Sequence, residues 1–144
     1  MSELTPGPAP GGPAAAGRPD TVLIVDDSRT MRTSIRLHLN PDAYVFAEAA
    51  TAERALTLAR LLRPAAAVVD LQLPGLDGID FTARLRLEKE AHLRSVGIVL
   101  VTGGDVEAHR ERALAAGVDA ILLKPLDAAV LRATVERFVR RQRA

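Results

Sequence analysis

In "VLIVDDSRTMR" an apolar run ends in two adjacent aspartates, Asp26 and Asp27. A third aspartate, Asp70, closes another apolar run. Thr102 closes a further one ahead of Gly103 and Gly104, and Lys124 follows another ahead of Pro125. Two carboxylates ~5 Å apart repel by roughly 3 kcal/mol at an effective dielectric near 20. Three at one point do not stay together as bare anions. A hard divalent cation resolves the repulsion, and carboxylate oxygens suit Mg²⁺ better than zinc or copper. A lysine, a hydroxyl and a glycine N–H beside that ion would bind a dianionic oxyanion, the set that holds a phosphoryl group between metal and ammonium. Phosphoryl transfer asks the protein mainly for positioning and charge neutralisation. One aspartate can serve as nucleophile and form an acyl phosphate.

These residues converge only if the fold brings the ends of the runs together. Short apolar runs occur at 21–25, 43–47, 65–69, 96–101 and 118–123. Their length and Val/Ile content predict strands buried on both faces. The intervening segments 28–39, 51–62, 78–88, 105–116 and 127–142 have helical patterning. Ser28 is a candidate N-cap and Gly117 a candidate C-terminal stop. Expected core-facing positions are Met31, Ile35 and Leu39; Ala55, Leu58, Ala59 and Leu62; Ile79, Phe81, Leu85 and Leu87; and Leu131, Val135 and Phe138. The alternation predicts a doubly wound (βα)₅ α/β fold with a parallel sheet covered on both faces. In such folds chemistry gathers outside the carboxyl ends of the strands. Four of the five strand ends deliver polar groups there. The second ends near Glu48, without a further polar cluster.

Taken singly, each residue has a plainer reading. Asp27 could cap a helix, Lys124-Pro125 could be a turn, and Thr102 could merely end a strand. Their arrival in order on four strand ends of one sheet is what favours a shared site.

The 144 residues fit one domain, two at most, and suffice for a core. Aromatics are 3%, so base stacking has little to work with, and the net charge of +1 carries no signature for DNA or an anionic membrane. Neither nucleic acid nor membrane is expected as a partner. Cysteine is absent, which excludes disulfides and thiolate chemistry and suits a cytoplasmic location. No apolar stretch is long enough for a membrane span, and the N-terminus does not read as a signal peptide. Residues 1–20, rich in Pro, Gly and Ala, are expected to be a disordered tail ahead of a domain at 21–144.

From about Thr21 to Arg140 the chain resembles the receiver domain of two-component response regulators. "LIVDDSRTMR" is similar to the acidic-pair motif in its chemotaxis-type form, "VVDLQLPGLDG" to the phosphoacceptor loop, "LVTGG" to the switch segment, and "AGVDAILLKPL" to the segment with the family's lysine. The resemblance implies a flavodoxin-like sheet of strand order 2-1-3-4-5. It implies that Asp70 accepts a phosphoryl group from a histidine kinase or histidine phosphotransfer protein. Asp27, Asp70 and the Gln72 carbonyl would bind Mg²⁺, with Mn²⁺ able to substitute, and Asp26 would act through a metal-bound water. Lys124 and Thr102 would contact the phosphoryl oxygens. Gly103 would donate its N–H, and a bulky residue there would crowd the site. Lys124-Pro125 is commonly a cis peptide in the family. Gln72 and Gly104 sit where the family tunes the lifetime of the acyl phosphate.

One position departs from the pattern. The switch aromatic of the family falls at Ile121, and an aliphatic side chain cannot make the usual ring flip. An aspartate-nucleophile phosphohydrolase usually carries a second aspartate two residues beyond the nucleophile, and Gln72 argues against it. A silent receiver-like module would usually have lost an acidic residue or the lysine, and all are present. The sequence predicts a single-domain regulator, monomer or weak dimer, that is not a turnover enzyme beyond self-phosphorylation and slow self-dephosphorylation. Its output would be contact with another protein, or passage of the group along a phosphorelay. His109, Arg110, Arg112, Arg132, Arg137, Arg140, Arg141 and Arg143 mark the 105–143 face, read as a solvated basic surface or a dock for an acidic target. His38, His92 and His109 lack metal-ligand spacing and are expected at the surface.

Overall fold

The computed structural model describes residues 20–143. Five strands run β1 (Asp20–Val25), β2 (Tyr44–Ala49), β3 (Ala66–Asp70), β4 (Gly97–Thr102) and β5 (Ala120–Leu123). They alternate with α1 (Arg29–His38), α2 (Ala52–Leu62), α3 (Gly78–Arg86), a short α4 (Ala91–Arg94), α5 (Val106–Ala116) and α6 (Ala128–Arg143). All strand pairs are parallel, in the order β2-β1-β3-β4-β5. The expected (βα)₅ sheet and strand order are therefore present. The four-residue α4 is an addition; so short a helix leaves no periodic signal. The expected tail at residues 1–20 lies outside the described residues except for Asp20, which opens β1 opposite Tyr44.

The pleat divides the core in two. Leu23 and Val25, Ala67 and Val69, and Ile98 and Leu100 face one side, with Ala55, Leu56, Ala59, Phe81 and Leu85 of the helices above. Val22 and Ile24, Ala66 and Val68, and Val99 and Val101 face the other, against Ile35, Leu39, Leu131, Val135 and Phe138. The central strands β3 and β4 are buried throughout, whereas the edge strands β2 and β5 are mostly half-buried. Complete burial of all five strands was expected, but an edge strand has only one neighbour to cover it.

The helix ends follow local rules. Ser28 accepts from the Met31 N–H, and Thr51 accepts from the Arg54 N–H. Asp77 and Asp80 form a reciprocal capping box. Gly117 ends α5 at φ 101°. Leu87 corrects the expected core: α3 stops at Arg86, and Leu87 is 83% exposed. Leu56, unexpected, is buried, while Leu58 and Leu62 are half-buried.

A largely buried ion pair joins α3 to the β5 side. Arg86 Nη2 donates to the Gly117 carbonyl (2.8 Å) and to Asp119 Oδ2 (2.9 Å), and Nη1 donates to the Arg94 carbonyl (3.0 Å). Asp119 Oδ2 also accepts the Ile98 N–H at 2.8 Å. Arg86→Met keeps most of the side-chain volume but strips donors from a carboxylate only 22% exposed. We expect a loss of about 2–3 kcal/mol, seen as a lower urea midpoint at unchanged m value.

Candidate functional site

Each strand hands its final residue to one edge of the sheet. Pairing of β1 with β2 continues one step past the strand, where the Asp26 N–H donates to the Ala49 carbonyl (3.0 Å). Asp26 then turns, its Oδ1 accepting the Ser28 N–H (2.9 Å), and α1 begins. Asp70 is the last residue of β3, level with Val101 of β4. The Lys124 N–H donates to the Thr102 carbonyl at 2.8 Å, which sets the lysine beside β4. The Lys124–Pro125 peptide is cis.

Carboxylate oxygens of Asp26, Asp27 and Asp70 lie within 4.8 Å of one another, the one such acidic cluster among the described residues. Asp26 is 2% exposed and Asp70 7%, while Asp27 opens to solvent. Lys124 Nζ reaches Asp70 Oδ1 at 3.4 Å, and the same oxygen accepts the Gln72 N–H at 3.3 Å. Thr102 is buried beside them, and its Oγ1 accepts the Gly104 N–H (3.1 Å). That bond uses a lone pair and leaves the hydroxyl proton available to an incoming oxygen. Asp26, Asp27, Asp70, Thr102 and Lys124 are thus at one edge, as their positions after the strands predicted. Gly103 lies beside Lys124. A Cβ there would sit 3.8 Å from Lys124 Cδ, an ordinary contact, so crowding would begin only with larger side chains. Ile121 is half-buried and packs against the core cluster on the α2–α3 side.

The donor set suits a hard cation: three carboxylates, with no thiolate or imidazole among them. Burial pushes the Asp26 carboxyl above its ordinary value, and the charges of Asp70 and Asp27 push the same way; the Ser28 N–H and Lys124 oppose them. A carboxyl raised by folding weakens the fold once it is ionised. That destabilisation is absent below the unfolded pKa, grows as pH rises through the folded pKa, and is complete above it. Asp26→Asn should therefore melt higher than wild type in metal-free buffer at neutral pH. Its advantage should shrink as pH falls and Asp26 takes up a proton. Thermal melts across pH in EDTA check this.

Three features escaped the sequence. Glu48 is not isolated: it accepts Arg32 Nε at 2.8 Å and pairs with Arg36 through its other oxygen. His38, His92 and His109 are all half-buried rather than superficial, and His92 Nε2 lies 3.0 Å and 2.9 Å from the carbonyls of Arg63 and Pro64, where α2 ends. The arginines of the 105–143 face are exposed, as expected of a solvated basic surface, but most of them are also paired with acids within the chain. Arg112 pairs with Asp77 and Asp80, Arg110 with Glu107, Arg140 with Glu136, Arg141 with Asp119, and Arg143 with Asp20. Arg110–Glu107 and Arg140–Glu136 are i,i+3 and i,i+4 pairs legible along the helix, whereas the long-range pairs of Arg112, Arg141 and Arg143 have no local pattern by which to be found.

Residues 22–136 match the family described as the response regulator receiver domain. The chain is 35% identical over 127 residues to the transcriptional regulatory protein AruR of Pseudomonas aeruginosa, covering 85% of this chain and 50% of that protein. It is 33% identical over 123 residues to the response regulator MprA of Mycolicibacterium vanbaalenii, covering 85% and 52%. The chain thus spans about half the length of these curated relatives. Among solved structures it resembles the receiver domain of the sensor histidine kinase PA1611 of Pseudomonas aeruginosa, which has a magnesium ion coordinated in its active-site cleft. The TM-score is 0.75 at 29% identity, covering 84% of this chain and 98% of that one. It also resembles the chemotaxis response regulator CheY4 of Vibrio cholerae, with a TM-score of 0.74 at 25% identity and coverage of 83% and 98%. Sheet order, acidic edge and sequence agree, and the chain belongs to the receiver-domain family of two-component response regulators.

Proposed function

We propose that Asp70 is the phosphoacceptor of this receiver domain. Receiver domains are signalling domains that bind Mg²⁺ in their acidic site and interact with histidine kinases or phosphotransfer proteins. The observation that carries the assignment is the convergence of Asp26, Asp27 and Asp70 within 4.8 Å, with Lys124 on Asp70. Asp27, Asp70 and the Gln72 carbonyl would hold Mg²⁺, with Asp26 reached through water; Mn²⁺ would serve in its place. When bound, the ion supplies positive charge that offsets the carboxylates and the incoming phosphoryl oxygens.

The chain's own residues do the rest. An Asp70 carboxylate oxygen forms the O–P bond as the P–N bond to the donor's imidazole breaks, and the electron pair leaves with the nitrogen. Lys124, freed from Asp70 Oδ1, neutralises a phosphoryl oxygen. The Thr102 hydroxyl and the Gly103 N–H donate to the others. A small phosphodonor would load the same oxygen, and slow hydrolysis would unload it. The reading includes a cytoplasmic domain at 21–144, and an output by contact with a protein target through the 105–143 face or by relay of the group. No helix among the described residues is long and apolar enough to cross a membrane.

Incubation with a small phosphodonor and Mg²⁺, followed by intact mass, tests the assignment. One phosphoryl group per chain is expected, dependent on Mg²⁺ and absent in Asp70→Asn. No adduct with any donor would overturn it in favour of a silent module. Many turnovers of donor without a stable adduct would indicate a hydrolase.

A further inference from the structure

The Asp26–Asp27 turn is gripped by a residue outside the acidic cluster. Arg32 of α1 donates from Nη1 to the main-chain carbonyl of Asp26 at 2.7 Å, and from Nε to Glu48 Oε1 of β2 at 2.8 Å. Its side chain is only 14% exposed. With the Asp26 N–H on Ala49 and Asp26 Oδ1 accepting from Ser28, the backbone of Asp26 and one of its carboxylate oxygens each have their own partner. The Asp26 carbonyl and the Asp27 N–H belong to one planar peptide unit. A clamp on the carbonyl therefore sets the direction in which Asp27 leaves the strand. Asp27 is the exposed member of the cluster, so this backbone anchor is the restraint the fold offers it.

We propose that Arg32 is a positioning residue for the cation site: held by Glu48, it fixes the Asp26–Asp27 peptide so that the Asp27 carboxylate stays poised toward Asp26 and Asp70. The inference rests on the reading of that cluster as a Mg²⁺ site. Arg32 acts through geometry rather than charge. Its guanidinium is paired with Glu48, and the charges that bear on the Asp26 carboxyl are those of Asp70, Lys124 and Asp27. Arg36 supplies the natural control, since it also pairs with Glu48 but bonds to nothing at the turn among the hydrogen bonds of the described residues. Because Arg36 stays on Glu48, removing Arg32 does not leave that carboxylate unpaired.

Calorimetric titration of Mg²⁺ into wild type, Arg32→Met, Arg32→Lys, Arg36→Met and Asp27→Ala, with metal-free melting temperatures in parallel, tests this. Arg32→Met is expected to weaken Mg²⁺ binding about tenfold, as loss of a residue supporting metal ligands typically does. Arg32→Lys should recover part of it, because an ammonium can still donate to the carbonyl without the two-pronged grip. Arg36→Met should stay within about twofold of wild type. An Arg32→Met protein with a lower metal-free melting temperature but wild-type Mg²⁺ affinity would overturn the positioning role and leave Arg32 a packing residue. Should wild type bind Mg²⁺ and Asp27→Ala lose it while Arg32→Met does not change, this inference alone fails. Should wild type bind no Mg²⁺, it fails together with the reading of the site.

Discussion

Millimolar Mg²⁺ is expected to raise the melting temperature of the wild-type chain by several degrees, and Asp27→Ala should lose most of that gain. Asp26 and Asp70 are almost wholly buried within 4.8 Å of each other and of Asp27. Lys124 reaches only one of the three. Folding therefore concentrates negative charge that the unfolded chain keeps dispersed, and a cation that binds only the folded state recovers the repulsion as binding free energy. At ten times its dissociation constant such a ligand adds about 1.4 kcal/mol. For a domain of this size that corresponds to about 4–8 °C. Asp27→Ala removes a ligand and one repelling charge together. Its metal-free form should melt no lower than wild type, and the curve with Mg²⁺ should nearly overlie the one without. Equal shifts in both proteins would mean that the ion binds elsewhere.

The second large effect is expected at Gly78, the first residue of α3. A Cβ there would lie 2.5 Å from the main-chain oxygen of Asp70 and 2.8 Å from Leu100 Cδ1. Neither neighbour is a loose side-chain end: one is the backbone of β3, the other a fully buried core residue. The Gly78 N–H is also committed to the Leu71 carbonyl at 2.9 Å, so the helix start cannot slide away freely. Gly78→Ala should destabilise by about 3 kcal/mol, the upper range for an overpacked core, visible in the urea midpoint. The backbone it displaces is that of Asp70, so the yield of phosphoryl adduct should fall as well. A neutral Gly78→Ala would show slack in the loop between β3 and α3 that the packing does not suggest.

The site was legible in the sequence for a physical reason. Strands buried on both faces are almost uniformly apolar, so Asp26, Asp70 and Thr102 stand out where the runs stop. The parallel topology then places all those stops on one edge. Helix faces were read less well. Leu87 completes only a less regular set: it follows Leu85 by two residues, off the buried face, and the helix ends one residue earlier, which leaves it in solvent. Leu56 is buried with Ala52, Ala55 and Ala59, a face as regular as the expected Ala55, Leu58, Ala59 and Leu62, so spacing alone did not choose between them. The long-range ionic contacts were illegible. Glu48 with Arg32 and Arg36, Arg86 with Asp119, and Arg112 with Asp77 join residues far apart in sequence, so each arginine alone looks like any solvated charge. The basic face of α5 and α6 is exposed, as read, but its long-range acid partners were not seen. Its arginines are mostly tied to acids, and Arg137 and Arg141 also lie over the Phe138 ring at 4.8 Å and 4.9 Å.

The role proposed for Asp70 is tested at the atom level by identifying the residue that takes up phosphorus. After loading from a small phosphodonor with Mg²⁺, borohydride reduces an aspartyl phosphate to homoserine, which peptide mass mapping locates. Homoserine is expected at position 70, only in loaded samples and only when Mg²⁺ was present. Homoserine at Asp26 or Asp27, or phosphate retained on a serine, threonine or histidine with Asp70 untouched, would contradict it.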